Sequence, residues 1–184
     1  GKLGILITAR LESKRLKRKH LLKVARKPIL EYLIQRMYKV FEYEIETKKA
    51  LIVIATSDEE TSRGFEQFRK LGVEVFYGSI KNIPFRHFQA AQKFGFEYIL
   101  SVDGDDILCS PKGAKKVFNA LQKGNSYACT TSLPLGMNAM GYSTAFLEKS
   151  LYGNKNEVLE TGWGRIFDVT ARNEIEMPCQ INSE

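Results

Sequence analysis

Leu3-Gly4-Ile5-Leu6-Ile7-Thr8 is an unbroken apolar run, and Ala9-Arg10 carries it straight into the densest positive charge of the chain. A short continuous run of this kind, ended by polar residues, reads as a strand buried on both faces. Between Arg10 and Lys27 lie nine basic residues against the single acid Glu12. That is a local net charge of +8 in a chain whose total is +7, so the remainder sums to −1. The protein is thus a near-neutral domain with one basic segment at the end of its first strand. A delocalised basic face would suit nucleic acid; one basic segment suits a compact anion such as a triphosphate.

The pattern of that first strand repeats along the chain. Pro28 opens a helix whose apolar positions Ile29, Leu30, Leu33, Ile34, Met37 and Val40 follow helical spacing. Leu51 to Thr56 is a second buried strand. Ser57 or Asp58 is placed to cap a helix running to about Leu71, which Gly72 ends. Val73 to Tyr77 is a third strand, closed by Gly78, and a helix over Pro84 to Phe94 is stopped by Gly95. Tyr98 to Val102 is the fourth strand and leads into Asp103-Gly104-Asp105-Asp106. Pro111 begins a helix to about Lys123, and Ser126 to Thr131 is a fifth strand. Alternating strands and helices with unbroken apolar strands predict an α/β domain, a mostly parallel sheet with helices on both faces. After Ser132 the pattern loosens: Gly136, Asn138 and Gly141 suggest turns, Thr144 to Leu151 a short helix, and Glu160 to Arg165 an exposed loop.

A length of 184 residues supports one domain, with 1–131 as the core and 132–184 as a less regular remainder. A hydrophobic fraction of 43% and a charged fraction of 27% are those of a globular protein, and no apolar run approaches the roughly 20 residues of a membrane span. The start lacks the longer apolar stretch and cleavage site of a signal peptide. Cys109, Cys129 and Cys179 are widely spaced and the two histidines, His20 and His87, lie far apart, which argues against zinc and for idle thiols in a reducing cytoplasm.

Ligands of open parallel sheets bind outside the carboxyl ends of the strands. Three polar groups fall there: the basic segment, Thr56-Ser57-Asp58, and Asp103 to Asp106. Arg15 offers a planar fork for phosphate oxygens and Lys19 a movable point charge. Carboxylates just past a strand and facing a basic loop suit magnesium, which takes a few carboxylates together with phosphate oxygens. Each group has a plainer reading: a solvated basic loop, a helix cap, an Asp-Gly turn. Arg86 reads as a charge on a helix surface. Trp163 reads equally as core, interface or sugar-stacking platform.

The stretch Ile7 to Leu21, with Arg10, Ser13, Arg15 and Lys19 in matching type and spacing, resembles the signature loop of the CMP-sugar synthetases, which activate Kdo, neuraminic and pseudaminic acids. Lys27-Pro28, Ala55-Thr56-Ser57-Asp58, Tyr77-Gly78 and Asp103-Gly104-Asp105 resemble later family segments in the same order, so the likeness covers residues 3 to about 131. Leu11 and Glu12 depart from the family's small pair, Lys17 stands where Pro is usual, and Ile107 where Pro commonly follows the metal Asp. The resemblance implies a Rossmann-like nucleotidyltransferase fold and transfer of CMP from CTP to a sugar acid, with magnesium, for surface polysaccharide or glycan synthesis. It assigns Arg15, Lys19 and Asp105 to catalysis. It places Ala9, Arg10, Ser13, Ala55, Thr56, Asp58 and Arg86 at the nucleotide, and Asp105 with Asp103 at the metal. It also implies a cytoplasmic homodimer that neither binds nucleic acid nor inserts into a membrane. The family's second metal Asp has no visible counterpart: the chain is truncated, an acid such as Asp168 substitutes, or the protein is a degenerate relative. Two rivals remain, a metal-dependent glycosyltransferase using a nucleotide-sugar, and an inactive nucleotide- or nucleic-acid-binding relative.

Overall fold

The computed structural model of the chain describes residues 1–11, 23–24, 27–106, 108–134 and 136–178. Strand β1, Leu3–Thr8, is followed by the two-residue strands β2, Lys23–Val24, and β3, Lys27–Pro28, which pair antiparallel with each other. Helices α1, Ile29–Val40, and α2, Glu42–Glu46, lead to β4, Ala50–Ser57. A 3-10 helix over Glu60–Leu71 precedes β5, Glu74–Gly78. Then come α3, Ile83–Phe94, β6, Tyr98–Asp103, α4, Pro111–Gln122, and β7, Tyr127–Thr131. The chain continues with β8, Met140–Ser143, α5, Thr144–Ser150, two short 3-10 turns at Trp163–Ile166 and Val169–Ala171, and β9, Arg172–Glu176.

The main sheet has seven strands in the order β5-β4-β1-β6-β8-β7-β9. β5, β4, β1 and β6 are mutually parallel, β8 runs antiparallel between β6 and β7, and β9 pairs parallel with β7. The unbroken apolar strands are explained by burial on both faces. Leu3, Ile5 and Ile7 face one core with Ile52, Ile54, Leu100 and Val102, beneath α1, α4 and the long 3-10 helix. Leu6, Val53, Ala55 and Ile99 face a second core under α3 and α5. Alternation along each strand sends successive side chains to opposite faces, so both must be apolar.

Several expectations are corrected. The segment after β4 is 3-10 rather than α, and its buried Ser62, Phe65 and Phe68 recur every three residues, the spacing at which 3-10 side chains eclipse. Its N-cap is Glu59, whose side chain makes no capping bond, so neither Ser57 nor Asp58 caps it. Pro28 precedes α1 as its N-cap residue and does not occupy the first turn. Asn82 caps α3, accepting from the Phe85 N–H, and Gly95 ends it in the left-handed region at φ 72. The fifth predicted strand does not neighbour the fourth, because β8 lies between them. Gly141 is the middle of β8 and not a turn: a Cβ there would stand 2.8 Å from both the Ile99 carbonyl oxygen and Val117 Cγ1. Only a residue without a side chain lets α4 lie this close over the strand. The expected loop from Glu160 to Arg165 contains the 3-10 turn that begins at Trp163. Among the described residues no helix is long and apolar enough to cross a membrane.

Candidate functional site at the carboxyl edge of the sheet

Thr8 is in register with Ala55 of β4 on one side and Asp103 of β6 on the other, and Ser57 with Gly78 of β5. Gly78, Ser57, Thr8 and Asp103 therefore end four adjacent parallel strands along one edge, so the second and third predicted groups do converge. Ser13, Arg15 and Lys19 of the first group lie outside the described residues. Ile107, His20 and Cys179 also lie outside them.

Arg10, the first side chain past β1 that reaches this edge, is held by two carboxylates. Its Nε donates to Glu59 Oε2 at 3.0 Å and its Nη2 to Glu59 Oε1 at 2.9 Å, a bidentate fork. Its Nη1 donates to Glu160 Oε1 at 3.1 Å. Glu59 is fixed in turn, since the Ser57 hydroxyl donates to its Oε2 and lies 3.0 Å from the Ser62 hydroxyl. Sequence reasoning missed both glutamates. Glu160 is 150 residues from Arg10 and arrives because Asn82 gathers the segment before it. Asn82 Nδ2 donates to the carbonyls of Asn154, Lys155 and Glu157, and the Leu159 N–H donates to the Lys81 carbonyl.

The remaining nucleotide-site expectations fall at two depths. Ala9 and Ala55 point into the two cores, and the Ala55 carbonyl accepts from the Ala9 N–H at 3.3 Å. Thr56 is fully buried, and its Oγ1 has no hydrogen-bond partner among the described residues. Asp58 is exposed and pairs with Arg63 at 2.9 Å. Arg86 corrects the surface reading: it is buried, donating to the carbonyls of Ser79 at 2.8 Å, Ile80 at 3.1 Å and Ala55 at 3.4 Å. Burial first, and then the neighbouring Arg10, lowers its pKa to about 10, which still leaves it charged at neutral pH. It ties the β5–α3 loop to the end of β4.

At the end of β6, Asp103 Oδ1 accepts from the Asp105 N–H at 2.9 Å and fixes the turn. Asp103 and Asp105 are exposed and Asp106 is half-buried. Burial, followed by the negative charges of Asp103 and Asp105, pushes the Asp106 carboxyl above its ordinary range. Carboxylate oxygens are the ligand type of hard cations, but among the described residues no group of three or more His, Cys, Asp or Glu is placed to hold a metal ion by itself. Asp168 caps the Val169–Ala171 turn, its Oδ1 accepting from Thr170 N–H and hydroxyl. Beside Asp103 and Asp106 a cleft of about 210 Å³ opens, walled by Trp163, Asn138 and Met140. Behind it the buried His87 joins β1 to β8, its Nε2 2.7 Å from the Thr8 hydroxyl and its Nδ1 2.6 Å from the Tyr142 hydroxyl.

A mostly parallel sheet of seven strands with helices on both faces is the architecture of the Rossmann-like nucleotidyltransferase fold. Comparison with known proteins agrees, and the chain belongs to the cytidylyltransferase family, whose model, described as Cytidylyltransferase, matches residues 4–156. An uncharacterized protein of Methanocaldococcus jannaschii is 34% identical over 148 residues, 79% of this chain and 58% of that protein. The chain thus spans less than two thirds of the length of the curated relative it matches. Among solved structures, a cytidylyltransferase from Leptospira borgpetersenii superposes with a TM-score of 0.75 at 21% identity, over 96% of this chain and 76% of that one. A CMP:2-keto-3-deoxy-manno-octonic acid synthetase complexed with CTP superposes with a TM-score of 0.64 at 14% identity, over 96% and 91%. At these identities the two structures show the shared fold.

Proposed function

We propose that the chain carries out cytidylyl transfer: an acceptor hydroxyl of a sugar acid attacks the α-phosphate of CTP, and pyrophosphate leaves. The observation that carries this reading is the arrangement along one sheet edge of the Arg10 clasp, the end of β4 and the Asp103 to Asp106 cluster, in a chain of the cytidylyltransferase family. The acceptor oxygen forms a bond to the α-phosphorus, the bond from that phosphorus to the bridging oxygen breaks, and the hydroxyl proton passes to solvent. Such a step depends mainly on positioning and on neutralising charge. Arg15 and Lys19 take the triphosphate and the developing pyrophosphate charge, Ser13 hydrogen-bonds phosphate or steadies Arg15 and Lys19, and Arg10 supports them.

Magnesium fits the residues at the end of β6. Asp103 and Asp105 are exposed carboxylates, and the neighbouring Asp106 carboxyl is raised by burial first and then by their negative charges. Among the described residues no group of three or more His, Cys, Asp or Glu is placed to hold a metal ion by itself, so magnesium here would depend on phosphate oxygens and retained waters. Asp105 would hold the ion, with Asp103 fixing the turn; bound there, it would neutralise phosphate charge and orient the attack. A homodimer in the cytoplasm, serving surface polysaccharide or glycan synthesis, belongs to the same reading.

Pyrophosphate release from each of the four nucleoside triphosphates, with magnesium and a panel of Kdo, neuraminic, legionaminic and pseudaminic acids, tests the proposal. Release specific to CTP and dependent on one sugar acid is expected. Lys19→Ala and Asp105→Ala should each lose on the order of 100- to 1000-fold in rate while folded. Wild-type turnover in either variant contradicts the assignment.

A further inference from the structure

Trp163 is the only tryptophan of the chain, and its surroundings distinguish among the roles a lone tryptophan can have. Its ring meets three aromatic neighbours edge to face: His87 at 5.6 Å and 80°, Phe167 at 5.8 Å and 88°, and Tyr142 at 6.5 Å and 89°. His87 is itself pinned between the hydroxyls of Thr8 and Tyr142, and Tyr142 and Phe167 are buried. The indole therefore cannot turn without disturbing the core. Despite this packing it is not buried: it remains partly exposed and walls the cleft that holds Asp103 and Asp106. A large aromatic ring, held rigid from behind and left open in front of carboxylates, is costly to leave in water and is typical of a binding surface.

The cleft says what it could take. Its volume of about 210 Å³ lies below the roughly 300 Å³ at which pockets for larger ligands begin. One sugar ring suits it; a nucleoside triphosphate does not. Asp106 on one wall accepts hydrogen bonds and so suits the hydroxyl groups of a ligand. Trp163 lines the same cleft, and an indole, whose face is the negative pole of the ring quadrupole, suits the weakly positive C–H face of a saccharide. The cleft lies on the β8 side of Asp103, whereas the Arg10 clasp lies on the β4 side. Donor and acceptor would then flank the aspartates.

We infer that Trp163 is the stacking wall of the acceptor subsite, receiving the apolar face of a single sugar ring whose hydroxyls turn to Asp106 and whose acid group faces away from the two carboxylates. This rests on the cytidylyl-transfer reading and extends it to the acceptor. Because Trp163 is the only tryptophan, the intrinsic fluorescence of the intact chain reports on this wall directly. Titration with Kdo, N-acetylneuraminic, legionaminic and pseudaminic acids, with CTP and magnesium present, should give a saturable change in emission with at least one of them. Trp163→Ala should raise the KM of that sugar about tenfold with the KM of CTP within twofold, and Trp163→Phe should recover most of the loss. The KM of CTP also serves as the control for folding. Pyrophosphate release with a sugar that neither alters wild-type emission nor changes its KM in Trp163→Ala overturns this inference and leaves the transfer reading standing. A saturable emission change without pyrophosphate release supports the subsite and contradicts the transfer. Neither signal with any of the four sugars contradicts both.

Discussion

Arg10 lays its guanidinium fork on the Glu59 carboxylate, Nε to Oε2 at 3.0 Å and Nη2 to Oε1 at 2.9 Å, so the first side chain to reach the site edge from β1 has its direction set by the N-cap residue of the 3-10 helix after β4. A bidentate pair of this kind fixes orientation as well as energy. With about a quarter of the Arg10 side chain and a fifth of the Glu59 side chain exposed, solvent screening limits its contribution to about 1 to 2 kcal/mol. Glu59→Gln should keep the fold, lower melting by a few degrees, and reduce kcat/KM for CTP about tenfold, since Arg10 would be left to Glu160 alone. Arg10→Lys should do no better, because a point charge cannot span both oxygens. Steady-state kinetics beside thermal melts check this; kinetics unchanged in both variants would show that the clasp is only structural.

His87 gives a pH dependence of stability. It is fully buried, and desolvation first, then the charge of Arg86, lowers its pKa to about 3. An unfolded histidine titrates near 6.5, so between about pH 3 and 6.5 the unfolded chain binds more protons at this site. Stability from keeping it neutral is complete above the unfolded value and is lost as pH falls, with a slope of up to about 1.4 kcal/mol per pH unit. Denaturant melts from pH 7 to 4 should show a shallower decline for His87→Gln than for the wild type; parallel curves contradict the account.

Much of the fold was legible in the sequence, for a physical reason. β1, β4 and β6 are buried on both faces, and burial of that kind writes itself as an unbroken apolar run. Beside the two-residue strands β2 and β3, the sequence did not show β8 and β9, which lack that signature. β8 is four residues long and carries Gly141 in its middle, while β9, Arg-Asn-Glu-Ile-Glu at the sheet edge, is exposed at alternate positions and charged, as edge strands often are. The convergence of strand ends followed from the α/β pattern, because such sheets place their ligands there. The partners of Arg10 did not, since contacts 49 and 150 residues away in sequence leave no local spacing to read. Arg86 was misread because its three partners are backbone carbonyls, which no side-chain motif announces.

Gly141 is a point where the fold tolerates no side chain. Gly141→Ala sets a Cβ against backbone at Ile99 and against Val117 of α4, and overpacking of this kind costs about 1 to 3 kcal/mol. Chemical denaturation of the variant should show that loss with little change in the slope. A variant as stable as the wild type would mean that α4 and β8 are packed more loosely than described.

The thiols differ in access. Burial pushes Cys109 up to about 11, and Asp106 adds to the shift. Iodoacetamide at neutral pH should therefore spare Cys109 in the native protein and label it once denatured, as read by peptide mass spectrometry. Native labelling at Cys109 would contradict its placement beneath the aspartate cluster.

Phosphorus NMR of the chain with CTP, magnesium and each sugar acid in turn tests the central claim most directly. The account predicts that one sugar converts the three phosphate resonances of CTP into pyrophosphate and a phosphodiester signal of the CMP-linked sugar, in equal amounts. CTP left intact with every sugar, or broken down to CDP and orthophosphate, would contradict it.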